Sequence, residues 1–107
     1  MSTVSFTSYG GGEKEIVRRG IGAIREVLLG DDNGKKRSLL LALDWFMDPY
    51  YHQDISAIRE ELKALLETVA ATSGDPNVTE DALQLLYDYE APPFPILEAH
   101  GIELEQE

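Results

Sequence analysis

The chain has no cysteine, so disulfides, thiolate nucleophiles and cysteine metal sites are excluded. Histidine is almost as scarce, with only His52 and His100 present, which leaves little for a metal centre or a histidine general base. Beyond Lys63 there is no Lys or Arg at all. A surface that neutralises phosphates needs them, so direct nucleic-acid binding is not expected. No apolar run approaches the roughly 20 residues of a membrane span, and the start, MSTVSFTSYGGGEKE, lacks the basic stretch and apolar core of a signal peptide. These absences predict a cytoplasmic protein without membrane contact.

What is present is a chain of 107 residues, 43% apolar and 27% charged, a composition suited to one globular domain with one core. Its net charge of -11 is unevenly placed. Up to residue 40, seven Lys or Arg stand against five acids, whereas from residue 41 onward fifteen acids stand against only Arg59 and Lys63. Such a half either keeps the protein soluble or presents a negative field to a cationic partner.

Residues 1–12 read as an extended arm, in which Val4 and Phe6 alternate with small polar residues and Gly10 to Gly12 form a joint. The three glycines lack the Lys-Ser or Lys-Thr of a phosphate loop. From Glu13 to Leu29, Val17, Ile21, Ile24 and Leu28 recur at helical spacing. Gly20 and Gly22 inside that helix, each costing about 1 kcal/mol relative to Ala, predict the close approach of another helix. Gly30-Asp31-Asp32-Asn33-Gly34 is a turn with too few spaced oxygens for calcium. The cations that follow, Lys35 to Arg37, oppose a helix dipole, so either the helix begins at Ser38 or they answer to carboxylates elsewhere.

A second helix, about Lys36 to Met47, is apolar nearly all round, which predicts a central buried element with Trp45 and Phe46 in the core. Asp44 interrupts it and must face an open edge or meet a base. Asp48-Pro49 ends it. A third helix, capped by Asp54 or Ser56 and running to about Ala71, carries the apolar stripe Ile58, Leu62, Leu65, Leu66 and Val69, with Glu60, Lys63 and Glu67 on the solvated side. Ser73 to Asn77 reads as a loop and Thr79 as the cap of a fourth helix ending near Tyr89, whose narrow polar stripe is Asp81, Gln84 and Asp88. Pro92-Pro93-Phe94-Pro95 forces an extended segment anchored by Phe94, and Ile96 to His100 allows one short turn. The expected fold is therefore all-α: four main helices and a short C-terminal turn in a single helical domain, residues 13–100. They form either an antiparallel bundle or a short HEAT-like stack of helical hairpins, with an extended arm before the domain and an acidic tail, residues 101–107, after it.

The residues offer no catalytic constellation. Glu60-Glu61 and Glu80-Asp81 are adjacent on helices and point in different directions. Asp48, His52 and Asp54 make a poor metal pattern because Pro49 disturbs the helix that would align them. Neither an enzyme, a cofactor nor a metal is expected. What rises above background is an aromatic and acidic grouping: Asp48, Tyr50, Tyr51 and Asp54 at one corner, and Tyr87, Asp88, Tyr89 and Glu90 on the fourth helix. Tyrosines bring contact area with a polar tip and carboxylates steer a basic surface, so Asp48, Tyr50, Tyr51, Asp54, Asp81, Asp88 and Glu90 are the candidate partner-binding residues. The plainer role for the rings is to fill gaps between helices.

In a small, acidic, cysteine-free helical chain, Asp48-Pro49-Tyr50-Tyr51-His52-Gln53-Asp54 resembles the paired tyrosines of bacterial toxin-immunity proteins, including those that neutralise nuclease toxins. The segment from Leu85 to Pro95, LLYDYEAPPFP, is similar to the end of a hairpin unit in helical-repeat immunity proteins. The resemblance implies tight one-to-one binding to a basic toxin domain, at its active site or an adjacent surface. The residues themselves leave two other classes open. One is an acidic mimic of nucleic acid that inhibits a defence enzyme; the other is a helical adaptor or homo-oligomer, so monomer and homodimer both stand.

Overall fold

The computed structural model describes residues 12, 15–48 and 56–102. Residues 1–11 of the expected arm, Tyr50, Tyr51, His52, Asp54 and the end of the acidic tail lie outside the described residues, and Gly12, expected in the arm, is helical. Those described form an all-α fold without a strand: α1 (described over 15–19), α2 (Ile21–Leu28), α3 (Asn33–Met47), a 3-10 turn (Ser56–Ile58), α4 (Arg59–Thr72), α5 (Pro76–Tyr89) and α6 (Pro95–Ala99). Among them no helix is long and apolar enough to cross a membrane.

The first helix expected from the periodicity is two. Gly20 adopts φ 106° and ψ -173°, a region open to glycine alone, and so separates α1 from α2. The apolar rhythm runs through the break, with Val17 and Ile24 both buried, which is why periodicity did not reveal it. A Cβ built at Gly20 or Gly22 meets nothing within 4 Å, so neither glycine admits a neighbouring helix. Their roles differ: Gly20 bends the chain, and Gly22 is a helix-interior glycine facing open space.

Capping residues set the next boundaries. Asp32 caps α3 by accepting the Lys35 N–H at 3.0 Å, so the helix begins at Asn33 rather than near Lys36. Asp75 accepts the Asn77 N–H at 2.9 Å with Pro76 in the first position, which starts α5 one turn before the expected Thr79 cap. At the far end, Gly101 at φ 77° closes α6 in a Schellman turn: Ile102 N–H donates to Leu97 O and Gly101 N–H to Glu98 O, both at 3.0 Å.

One contiguous core joins α1 to α6, contributed by Ile24 and Leu28, by Leu39, Leu40 and Leu43, by Leu62, Leu66 and Val69, by Val78 and Leu86, and by Leu97. The stripe expected on α4 is buried apart from the half-buried Ile58. α4 packs most extensively on α5 and runs antiparallel to it, since Arg59 at its start meets Tyr89 and Glu90 at the end of α5. α3 also lies against α5 and runs parallel to it. Arg37 joins Asp81 near the start of both helices, and Asp44 joins Tyr89 near their ends.

α4 also carries a polar ladder that fixes the segment after α5. Arg59, Lys63 and Glu67 stand four residues apart on one face. The Arg59 guanidinium donates to Glu90 Oε2 at 2.9 Å and to Tyr89 O at 2.7 Å, holding the C-terminal end of α5. The Lys63 ammonium donates to Ala91 O at 2.8 Å and Pro93 O at 3.0 Å, and lies 5.1 Å from the centre of the Phe94 ring. Glu67 Oε1 accepts from Ile96 N–H at 2.8 Å and Leu97 N–H at 3.1 Å. Phe94, the residue before α6, has no side chain able to cap it, so Glu67 supplies the missing acceptor from another helix. Glu67 is thus 2% exposed and does not lie on the solvated side. Phe94 is the buried anchor its setting between prolines predicts, and the Pro92-Pro93 peptide is cis.

Candidate functional site: the groove between α3 and α5

α3 is not buried all round. Lys36, Leu39, Leu40, Leu43, Phe46 and Met47 follow helical spacing into the core, whereas Leu41 and Trp45, one turn apart on another face, are 64% and 56% exposed. Trp45 is therefore a surface residue and Phe46 a core one. The reason is geometric: a helix touching two neighbours covers only the stripe that meets them, and an apolar residue outside that stripe stays wet.

Beside this face the parallel helices α3 and α5 leave an open groove of about 480 Å³. Its α3 wall includes Arg37, Leu41 and Asp44; its α5 wall is the polar stripe Asp81, Gln84 and Asp88. At one end the Arg37 guanidinium donates to Asp81 Oδ2 at 2.8 Å. That hydrogen bond, followed by the charge of Asp81, raises the Arg37 pKa above its ordinary value. At the other end the Gln84 amide donates to both Asp88 oxygens, at 3.0 and 3.2 Å. Tyr89 has its pKa raised, first by burial, then by hydrogen bonding toward Asp44 and by the negative charges of Asp44, Asp48 and Asp88. Three carboxylates thus line the groove with one guanidinium to offset them, and Asp48 extends the negative field past the end of α3.

Of the expected partner-binding residues, the fold brings together Asp81 and Asp88 as groove walls, with Asp48 close enough to act on Tyr89. Glu90 stands apart, turned to Arg59 in an ion pair where its side chain is only 12% exposed. Tyr50, Tyr51 and Asp54 lie outside the described residues. Tyr89 is half-buried beside Asp44, and Tyr87 is 44% exposed. The near-continuous apolar run of α3 marks no exposed face, so Leu41 and Trp45 look like core; that they fall outside the covered stripe of 36, 39, 40, 43, 46 and 47 is set by the helices packed on α3. Asp44, expected to face an open edge or meet a base, faces the open groove, and of the cations Lys35 to Arg37, expected either to precede the helix or to answer to carboxylates elsewhere, Arg37 lies within α3 and meets Asp81.

The arrangement suits binding of a cation. It offers carboxylate acceptors beside apolar and aromatic area, in an open trough rather than an enclosed pocket. Comparison with protein-family models, with curated proteins and with solved structures gave no match to this chain.

Proposed function

We propose that the chain is a non-enzymatic, stoichiometric protein inhibitor of immunity type that acts in the cytoplasm by covering a cationic surface of a toxin, with a nuclease as the leading toxin class. The observation that supports this reading best is the composition of the α3–α5 face: Asp44, Asp81 and Asp88 against the single cation Arg37, beside the exposed Leu41 and Trp45. The two bases of the acidic half do not line the groove, and Arg59 is paired with Glu90 at the end of α5. Apolar contact area set among uncompensated carboxylates favours a basic protein partner through both steering and desolvated contact.

The test is co-expression with the product of the adjacent gene in a host that the product alone kills or arrests. Restored growth, together with a one-to-one complex of the two purified proteins, is the expected result. A harmless neighbour, or a toxic one whose effect persists, would remove the immunity reading.

A further inference from the structure

The α3–α5 groove has a length and polarity that point to one kind of occupant. Asp81 and Asp88 are seven residues apart on α5, and Arg37 and Asp44 are seven apart on α3. Two turns of helix separate each pair, about 10 Å at 1.5 Å per residue. The Arg37–Asp81 pair closes one end, so the negative charge without a facing cation in the groove sits at the other, where Asp44 and Asp88 lie. Leu41 lines the groove between these ends and Trp45 continues its face one turn further along α3. An occupant must therefore be apolar along its middle and cationic toward one end.

We propose that this groove binds a basic amphipathic helix of a partner protein, its apolar stripe laid on Leu41 and Trp45 and its Lys or Arg side chains directed to Asp44 and Asp88. A second copy of this chain is the weaker occupant, because it would bring a chain of net charge -11 against the same carboxylates. A helix satisfies its own backbone hydrogen bonds and can carry an apolar stripe with Lys or Arg side chains gathered at one end of it, as the charge of the groove requires. The inference rests on reading the chain as a binder of cationic protein, but not on that protein being a toxin.

Trp45 is the only tryptophan in the chain and stands one turn beyond the groove residue Leu41, so its fluorescence reports an occupant that covers this face. The probe is a synthetic 18-residue peptide of Leu and Lys patterned as an amphipathic helix, measured against the full chain beside two relatives. One has every Lys replaced by Glu; the other keeps the composition but has two central residues replaced by proline. The basic helix is expected to shift Trp45 emission to the blue and to bind more weakly as salt rises. The acidic peptide should not bind, and the proline peptide should bind at least about tenfold more weakly, because helix formation is blocked.

The double variant Asp44→Asn/Asp88→Asn should lose about tenfold or more in affinity. The double variant Glu60→Gln/Glu61→Gln, which makes the same charge change on exposed residues of α4, should stay within about twofold. Equal binding of the proline peptide, or equal losses in the two double variants, would overturn the proposal. Growth protection measured on the same variants keeps the two readings apart. Protection and peptide affinity that both survive Asp44→Asn/Asp88→Asn undiminished sink the groove and leave the inhibitor; groove-dependent peptide binding without protection keeps the groove and removes the toxin.

Discussion

Replacing Glu67 by alanine tests the ladder on α4 most directly. Its Oε1 accepts from Ile96 and Leu97 N–H at 2.8 and 3.1 Å, and the side chain is 2% exposed, so water does not take its place when it is removed. A buried donor left without an acceptor costs about 1–3 kcal/mol. Leu97 is fully buried and Ile96 half-buried, so the loss expected for Glu67→Ala is about 2–4 kcal/mol, a large part of the roughly 5–15 kcal/mol that holds a small domain folded. Glu67→Gln keeps a carbonyl acceptor but loses the charge assistance, and should cost about 0.5–1.5 kcal/mol. Urea unfolding gives the totals. With a slope near 1–3 kcal/mol per molar, the alanine variant's midpoint should fall by about 0.7–4 M. Amide exchange locates the effect: Ile96 and Leu97 should lose protection first, while Leu40, Leu43 and Leu86 keep theirs until global unfolding. An alanine variant within about 0.5 kcal/mol of the parent, or unchanged exchange at Ile96 and Leu97, would refute the capping role.

The two glycines near the first bend should respond in opposite directions. Gly22→Ala, in a helix and with open space for its Cβ, should stabilise by about 0.5–1 kcal/mol, whereas Gly20→Ala at φ 106° should destabilise; thermal melts that rank them otherwise would contradict the break at Gly20. Asp75→Ala should cost about 1 kcal/mol by removing the acceptor for Asn77 N–H, with Asp75→Asn close to neutral, as read from urea midpoints. Tyr89 should ionise later than an ordinary phenol, visible as phenolate absorbance missing from Tyr89→Phe, and Asp44→Asn should bring it partly back. Because folding raises this pKa above the unfolded value near 10, the associated stability is fully present below pH ~10 and is lost as pH rises through the folded value. A Tyr89 that titrates like a free phenol would remove the Asp44 contact.

The all-α class and the apolar stripe of α4 were legible in the chain because spacing along one helix is a short-range property: Leu62, Leu65, Leu66 and Val69 share a face whatever they meet. The caps were legible too, though two were read late. Asp32 and Asp75 each precede the true helix start, and Asp75-Pro76 carries the stronger signal, an acceptor followed by a residue that needs no donor. The groove was half legible. Asp81, Gln84 and Asp88 were recognised as one polar stripe, but the wall opposite was not, since α3 looked apolar on every side.

For this chain the sequence determined where helices form, where several of them stop, and that charge of one sign accumulates after Lys63. These follow from local periodicity, from capping and from composition. The tertiary structure decided the destinations of individual polar groups. Glu67 looks like any exposed acid of an amphipathic helix until packing brings Ile96 and Leu97 N–H to within 3.1 Å. Leu41 and Trp45 look like core until α3 is found to cover only one stripe. A carboxylate or an indole meets whatever packing brings to it from far along the chain, 29 and 30 residues away for Glu67, and no local pattern encodes that encounter.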